Sequence, residues 1–463
     1  MRYFSGEKIL GKTEAYGAIP PDKTLLSTTL KLAWPSILES FLVSLVGMVD
    51  TVMVGTLGSS AIAAVGLTTQ PKYLGLALFM SLNVAVSAVV ARRCGERDKD
   101  GANRVMTQSL LITIGLTVLV SILCVLLADP VIALAGSKPD THADAVAYFQ
   151  IIMGGLGFTT ISMVICAAQR GAGNMKIAMI TNIVSNGVNM VFNYLLIGGK
   201  FGFPKLGVKG AAIATVIGSV FAFAISIASI ARPGKFLNFH GLSHVRFDKR
   251  TLGAIWKVGS GTLLEQLFLR FGFFLYAVIA ANLGTLAFAA HQVGMNIMNL
   301  AFALGDGLSA AAITLVGKSL GQRRPDMAKI YGGICQRIGV LFSVALSIIL
   351  ITLHIQIFQL FSNEQGVLDY SGMMMSLLSV IVLMQIAHVI YSGCLRGGGD
   401  TVYVAFISLI SVAIIRPLSG YLLAYPCGLG LFGAWLGIAI DQALRFLFSW
   451  LRFRGGRWMK NKL

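Results

Sequence analysis

Charged residues are scarce in this chain, and acids are scarcer than bases. Only 12% of its 463 residues are Asp, Glu, Lys or Arg, and 19 acids stand against 37 bases. Apolar residues make up 56% and the mean hydropathy is +0.78, which is too apolar for the polar surface of a soluble protein of this size. The composition therefore excludes an ordinary soluble domain and indicates a protein that lies in a membrane.

Enzyme motifs and paired cysteines are lacking as well. The six cysteines form no CxxC pair and fall mostly in or beside apolar runs, so they indicate packing rather than disulfides or a metal site. The segment AITLVGKS nearly matches a phosphate-binding loop, but Ala312 replaces its first glycine and no strand precedes it. We therefore expect neither an enzyme nor a bound cofactor, and an ion gradient would drive any uphill transport.

Twelve apolar runs are each long enough to cross a hydrocarbon core of about 30 Å as a helix. They cover 32–55, 62–90, 105–128, 144–168, 178–198, 210–230, 252–281, 288–316, 330–361, 369–395, 402–425 and 432–451. Runs of this length do not alternate in polarity as the strands of a closed barrel would. The sequence predicts an all-α polytopic membrane protein with twelve transmembrane helices.

Basic residues cluster between these runs. If both termini lie in the cytoplasm, the cytoplasmic segments carry 27 of the 37 Lys and Arg residues, and the outer loops carry four. Such a bias is typical of cytoplasmic loops in membrane proteins. It accounts for the net charge of +18 without a nucleic-acid partner. It also predicts a multi-pass protein of the cell (inner) membrane with both termini cytoplasmic.

The chain repeats itself after 226 residues. This shift places LESF over LEQL, so that Glu39 meets Glu265, and it places QRGAGN over LRGGGD. Each half holds six runs, so both halves enter the membrane in the same direction. We predict two six-helix bundles, residues 1–240 and 241–463, related by a pseudo-two-fold axis along the membrane normal with a cavity between them.

Acids inside the apolar runs are candidates for function, because a charge at mid-membrane costs about 2.5–3.5 kcal/mol on insertion scales. Glu39 and Asp50 are eleven residues apart, close to three helical turns, so they share one face of the first helix. Glu265 is expected to face a cavity rather than to pair with Arg270, because a spacing of five suits a helical ion pair poorly. That these acids only join neighbouring helices stays an alternative.

Amide side chains form two stripes, each along one helix face. The stripes are Asn182, Asn186, Asn189 and Asn193 in the fifth run, and Gln292, Asn296 and Asn299 with Asp306 in the eighth. Single amides often join helices, but four on one face favour the lining of a wet cavity. Gln385 and His388 form a smaller patch in the tenth run, and Asp441 and Arg445 are spaced for a structural salt bridge.

Several motifs of this sequence resemble those of one transporter family. They are VDTVMVG (49–55), CAAQRGAGNMK (166–176), NYLLIGG (193–199), AAHQVGMN (289–296) and LRGGGDT (395–401). With the twelve runs and the repeat, they resemble the MATE (multidrug and toxic compound extrusion) family over nearly the whole chain. The resemblance implies a V-shaped pair of six-helix bundles that expels cationic or amphipathic organic compounds in exchange for Na⁺ or H⁺.

The resemblance also bears on individual residues. It implies a coupling role for Asp50, the acid of the VDT motif, and Glu265 matches an acid of NorM-like members. Gln385 stands where NorM-like members often carry an acid, and Asn193 stands where DinF-like members carry Asp. The NorM-like branch therefore fits better, and the coupling ion is left open.

We therefore predict a secondary active multidrug antiporter that operates by alternating access. The coupling ion and the substrate would compete for carboxylates, and Na⁺, if it is the ion, would bind at Asp50 or Glu265. The predicted binding residues are Asp50, Glu265, Asn189, Asn193, Gln292, Asn296, Glu39 and Gln385. Small organic cations and membrane lipids are the expected partners of a functional monomer.

Two other functions were weighed against the antiporter. A flippase for a lipid or a lipid-linked oligosaccharide, from the same superfamily, should have a more basic cavity. Arg270 and Arg416 are its only candidates in the runs of the middle of the chain. A membrane-embedded enzyme would need a catalytic group of residues, and the sequence presents none.

Overall fold

The structure is a computed structural model, and it describes residues 2–11, 14–231, 236–238, 248–361 and 365–461. Within these residues all regular structure is helical and there is no strand, so the all-α prediction is confirmed. The boundary predicted between residues 240 and 241 lies outside the described residues.

The helices follow one another with short connections. The first nine are α1 Gly6–Leu10, α2 Asp22–Gly55, α3 Ser59–Gly95, α4 Lys99–Leu126, α5 Ala128–Leu134, α6 Pro139–Gly154, α7 Leu156–Gly171, α8 Met175–Gly198 and α9 Gly207–Ala231. The next are α10 Lys249–Ala281, α11 Thr285–Gly321, α12 Pro325–Thr352, α13 His354–Gln359, α14 Gln365–Leu368, α15 Ser371–Gly397, α16 Thr401–Ser408, α17 Arg416–Ala424 and α18 Gly430–Gly455. A π-helical segment, Leu409–Ile415, joins α16 to α17, and short 3₁₀ helices cover Arg2–Phe4, Lys200–Gly202 and Arg457–Lys460.

The long helices correspond to the twelve predicted spans. In the described part of the chain, ten helices are long and apolar enough to cross a membrane. The pair α6 and α7, bent by 46°, makes eleven if it counts as one span. The remaining predicted span is α8, which is 24 residues long. Its four asparagines make it less apolar than the others, which is the expected mark of a helix with a functional polar face.

The helix ends confirm the internal repeat. Paired first residues are Ser59 and Thr285, Lys99 and Pro325, and Met175 and Thr401, and paired last residues are Gly95 and Gly321, and Gly171 and Gly397. Every pair is separated by the shift of 226 that the sequence shows. The intervening turns match too, since Arg97 and Arg323 both have positive φ, 60° and 58°. The two halves therefore fold locally in the same way.

A close helix contact recurs at the same place in each repeat. A Cβ on Gly171 would lie 2.5 Å from the carbonyl oxygen of Ser87, and one on Gly397 would lie 2.7 Å from that of Ile313. Only glycine allows this approach. Small residues at helix contacts are typical of membrane proteins, in which packing rather than hydrophobic exclusion holds helices together.

The contacts divide the chain into two compact units. The N unit is Phe41–Trp256, and the C unit is Met1–Ser40 with Lys257–Leu463. The units differ from the predicted halves because the first forty residues belong with the C unit. There, Lys329 Nζ of α12 donates a hydrogen bond to the carbonyl oxygen of Leu10 at 3.1 Å. Gly307 of α11 likewise lies against the backbone of Ile37 in α2.

Candidate functional site

Asp50 lies near the end of α2, where local packing fixes its direction. Val54, one helical turn further on, is buried in an apolar cluster with Tyr148, Ile197 and Val208. These three residues come from α6, α8 and α9. Because positions i and i+4 share a face of a helix, this packing turns Asp50 towards α8.

Two asparagines of the predicted stripe hold the Asp50 carboxylate. Asn193 Nδ2 donates to Asp50 Oδ1 at 2.8 Å. Asn189, one turn earlier, has the amide orientation that satisfies its neighbours, with Nδ2 3.0 Å from Oδ1 and 3.1 Å from Oδ2 of Asp50. Its Oδ1 then accepts from the backbone N and from Oγ1 of Thr215 in α9, at 3.1 and 3.2 Å. The carboxylate is therefore bound by neutral donors.

The close packing of α8 and α9 makes this arrangement possible. A Cβ on Gly218 would lie 2.7 Å from the carbonyl oxygen of Ser185, so the two helices approach as only glycine permits. At that separation Thr215, almost one turn before Gly218, reaches Asn189. The backbone contact thus orients the amide that orients the carboxylate.

Asn193 brings a second oxygen to the site. Its Oδ1 is buried and has no hydrogen-bond partner among the residues that the structure describes. A buried acceptor without a donor is unfavourable and calls for a ligand or a water molecule. Beside the half-buried Asp50 carboxylate, this oxygen suits a hard cation, because such cations prefer carboxylate and carbonyl oxygens. The residues present therefore fit a bound monovalent cation.

Lys72 in α3 is a charged residue that the sequence reasoning missed. It belongs to the N unit, as Asp50 does. Its Nζ lies 5.6 Å from the centroid of the Tyr73 ring. The signal was present, since a lysine well inside a long apolar helix is a functional candidate by the same argument as a buried acid.

Glu265 does not face a cavity, so that expectation is wrong. Its side chain is buried against Arg396 of α15, whose Nη2 lies 2.5 Å from Oε1 and whose Nε lies 3.2 Å from Oε2. Arg396 directly follows the tenth apolar run (369–395), in a segment that the predicted topology places in the cytoplasm, and the pair is 131 residues apart in the chain. The forked guanidinium matches both carboxylate oxygens and neutralises Glu265 within the C unit.

A second ionic group is built around Asp441 in α18. The predicted salt bridge with Arg445 is confirmed, at 2.9 Å. Asp441 Oδ2 also accepts from Arg416 of α17, from Nη2 at 2.6 Å and from Nε at 3.1 Å. Arg416 is 1% exposed and its guanidinium carbon lies 5.0 Å from the centroid of the Phe273 ring. The positive charge of Arg416 is therefore balanced by Asp441 within the C unit.

The predicted binding residues are divided between the two units. Asn189 and Asn193 lie with it in the N unit, whereas Glu39, Glu265, Gln292, Asn296 and Gln385 belong to the C unit. Glu39 and Gln385 are buried, with 7% and 3% of their surface exposed. Gln292 and Asn296 are exposed, together with the other two members of their stripe on α11. An exposed polar stripe on a largely buried helix suits contact with water rather than with lipid.

Comparison with known proteins gives the same family pattern twice. The pattern described as MatE matches residues 35–195 and again residues 262–422. These matches cover most of the chain and nearly reproduce the shift of the internal repeat.

Relatives named as multidrug resistance proteins align over almost the full length. A "Probable multidrug resistance protein NorM" of Thermotoga maritima is 27% identical over 434 residues, which is 93% of this chain and 92% of the relative. A "Multidrug resistance protein MdtK" of Edwardsiella ictaluri is 28% identical over 439 residues, covering 92% and 94% of the two chains.

Solved structures share the fold. One, described as the outward-facing conformation of a multidrug resistance MATE family transporter, has a TM-score of 0.88 at 22% identity and covers 98% of this chain and 99% of its own. A MATE structure in a straight conformation has a TM-score of 0.87 at 23% identity, with coverage of 98% and 99%. At this level of identity the likeness establishes the fold, and the predicted twelve-helix architecture of two six-helix bundles is confirmed.

Proposed function

The chain belongs to the MATE family of membrane transporters, and on that premise we propose that it exports organic cations in exchange for Na⁺ or H⁺ by alternating access. Its relatives are named as multidrug resistance proteins, which supports a broad range of cationic or amphipathic substrates. The relative named NorM and the relative named MdtK both favour the NorM-like branch. The transporter is a multi-pass membrane protein, and its Lys and Arg distribution supports cytoplasmic termini.

The observation that carries the proposal is the Asp50 carboxylate, with Asn193 Oδ1 unsatisfied beside it. An ionised carboxylate in a membrane helix is stabilised by one positive charge, so a coupling ion and a cationic substrate exclude one another there. Because the coupling ion and the substrate cannot occupy Asp50 together, the entry of one is coupled to the export of the other. In this scheme Glu265 is secondary, because Arg396 already neutralises it.

Neither other function gains a specific observation. A flippase for a lipid-linked substrate needs free basic groups for its phosphates, but Arg416, one of its two candidates, is bound to Asp441. The membrane-embedded enzyme has no support in the family to which the chain belongs.

The test is gradient-driven transport of ethidium into everted membrane vesicles, the direction that corresponds to export from the cell. A Na⁺ gradient and an H⁺ gradient are imposed in separate experiments. We expect one gradient to drive ethidium movement by the native protein and Asp50→Asn to reduce that movement about a hundredfold. The matched control is Asp140→Asn, which removes an exposed acid of α6 in the same unit. Native-like transport by Asp50→Asn contradicts the coupling role, and transport that ignores both gradients contradicts antiport.

A further inference from the structure

The second half of the chain has its own version of α8. There α16, the π-helical segment Leu409–Ile415 and α17 together correspond to it. The offset between the halves is 226 at the start, where Met175 matches Thr401. It is 227 near the end, where the carbonyl oxygens of Leu196 and Leu423 each meet a glycine of the following helix. A π-helical turn holds one residue more than an α-helical turn, which accounts for the change.

Beyond the π-helical segment, the offset of 227 places Arg416 at the position of Asn189. The offset of 226 matches Asp50 with Tyr276. In the N unit Asn189 binds Asp50, and in the C unit the guanidinium carbon of Arg416 lies 6.0 Å from the centroid of the Tyr276 ring. The same two positions therefore meet in each half, but the acid and amide of the N unit are replaced by a phenol and a guanidinium.

A close helix contact fixes Arg416 in this place. A Cβ on Gly437 of α18 would lie 2.6 Å from the backbone nitrogen of Gly420 in α17. Arg416 comes four residues before Gly420, and Asp441 comes four residues after Gly437. Because α17 and α18 are joined by a short turn and run in opposite directions, both residues lie one turn from the contact and on its face. Asp441 Oδ2 thereby lies 2.6 Å from Arg416 Nη2.

The cluster around Asp441 holds more positive than negative charge. Arg416 and Arg445 both donate to Asp441 Oδ2, at 2.6 and 2.9 Å, so two guanidinium groups share one carboxylate. Their exposures are 1% and 6%, and that of Asp441 is 0%. Glu265 is already held by Arg396. Among the described residues one buried positive charge thus has no acid of its own, which is strongly unfavourable.

Unused donors of the same residues indicate where the missing negative charge binds. Arg416 Nη1, Arg445 Nε and the Tyr276 hydroxyl are buried, and none has a hydrogen-bond partner in the part of the chain that the structure covers. Asp441 Oδ1 lacks a donor there as well. Water satisfies such atoms but is neutral, so it leaves the excess charge in place. A small anion accepts from the free donors and also balances the charge.

We propose that the C unit binds a chloride ion at Arg416 Nη1, at the position that corresponds to the Asp50 site of the N unit. Burial selects a small anion, because Arg416, Arg445 and Tyr276 are each exposed by 6% or less. The inference goes beyond the proposed export and does not depend on it. It assigns ligands of opposite charge to two equivalent positions of the repeat, and it makes the stability of the C unit depend on an anion.

The first test is thermal unfolding of the purified full-length protein in detergent, with NaCl replaced stepwise by sodium gluconate at constant ionic strength. Gluconate is too large for a buried site, whereas chloride should stabilise the folded protein as a saturable ligand does. We expect the midpoint to be about 3–6 °C higher at a chloride concentration tenfold above the Kd than in gluconate alone. Bromide should act as chloride does.

Charge variants assign the response to this cluster. Arg416→Gln and Arg445→Gln each leave one guanidinium for one carboxylate, so each should lose the chloride-dependent rise. Asp441→Asn leaves two guanidinium groups without an acid and should bind chloride about tenfold more tightly. The matched control is Arg452→Gln, also in α18, which breaks a one-to-one ion pair with Asp400 and should keep the native response.

Anomalous diffraction from crystals of the native protein grown in sodium bromide locates the ion without any variant. We expect a peak within hydrogen-bond distance of Arg416 Nη1. Equal midpoints in chloride and gluconate, or bromide peaks only at other places, refute the site. A native chloride response in both Arg416→Gln and Arg445→Gln refutes its assignment to these residues. Neither measurement involves transport, so these failures leave the proposed antiport standing.

Discussion

Asp50 and Glu265 are both acids inside membrane helices, but their surroundings neutralise them by different means. Asp50 is half-buried and accepts hydrogen bonds from two uncharged amides. Glu265 is 4% exposed and forms a two-pronged ion pair with Arg396. An acid held by amides can exchange its cation, whereas one held by a forked guanidinium already has a permanent counter-ion.

The repeat shows that this difference is superimposed on a common framework. The residue that corresponds to Asp50 in the second half is Tyr276, which is buried and lies 5.6 Å from His291 between ring centroids. The residue that corresponds to Arg396 is Arg170, whose Nη2 donates to the side chain of Asn83 at 3.3 Å. The helices and turns recur, and so do Glu39 with Glu265 and Arg170 with Arg396, but Asp50 has no charged counterpart.

Removing Arg396 should have the largest effect of the changes that test this comparison. Arg396→Met leaves the Glu265 carboxylate buried without its counter-ion, and loss of one partner of a buried pair costs about 3–5 kcal/mol. We expect a lower free energy of unfolding, measured by thermal or chemical denaturation in detergent. The double variant with Glu265→Gln should recover much of that loss, and a double variant as unstable as Arg396→Met would show that the pair is not the cause.

The next test sets the two acids against one another in transport. Asp50→Asn should reduce gradient-driven ethidium efflux by about a hundredfold, equivalent to about 2.7 kcal/mol of lost stabilisation. Glu265→Gln should keep more than a tenth of the native rate once rates are corrected for folded protein, because its charge is already cancelled. Equal losses in the two variants would place coupling in both units.

Asn193 provides a smaller and more specific test of the N unit. Asn193→Leu removes a donor to Asp50 and the unsatisfied Oδ1, so the affinity for the coupling ion should fall about tenfold, or about 1.4 kcal/mol. The ion dependence of ethidium efflux gives this affinity. Asn186→Leu, from the same stripe of α8, is the matched control and should change it little. A reversed ranking would mean that the ion binds elsewhere on the stripe.

The smallest effect is expected at Asp306 in the C unit. This acid lies on the exposed stripe of α11, so Asp306→Asn should leave thermal stability unchanged. A solvent-exposed charge attracts a cation only weakly, and the Kd for tetraphenylphosphonium should rise about twofold to threefold. Asn299→Ala, on the same stripe, removes no charge and serves as the control. A loss as large as that of Asp50→Asn would assign to Asp306 the coupling role proposed for Asp50.

The period of the α-helix predicts which residues of one helix share a face, and it located the two asparagines of the candidate site. Asn189 and Asn193 were found because a spacing of four places them on one face of α8. Asp50 was found as an acid inside an apolar run, and the VDT motif implied its coupling role. Only the fold shows that α2 presents it to that face. Helix spacing likewise predicted the bond between Asp441 and Arg445, which are four residues apart.

Contacts between distant helices could not be read in this way. Arg396 had been placed in a loop because it follows an apolar run, yet it meets Glu265 across 131 residues of chain. Arg416 reaches Asp441 across 25 residues, beyond any helical period. Lys72 was missed for another reason, because the count of basic residues for orientation set aside those that lie within the apolar runs.

The placement of the first forty residues in the C unit has a consequence for biosynthesis. Leu10 is bonded by Lys329, which follows it by 319 residues, and the carbonyl oxygen of Ala18 is bonded by Arg324, 306 residues later. At about 5–20 residues per second, the ribosome needs on the order of 15–60 s to deliver these partners. The first residues of the chain thus remain without these partners while the whole N unit is made. A ribosome that stalls near the middle of the message would leave this segment without its partners, exposed to quality-control proteases.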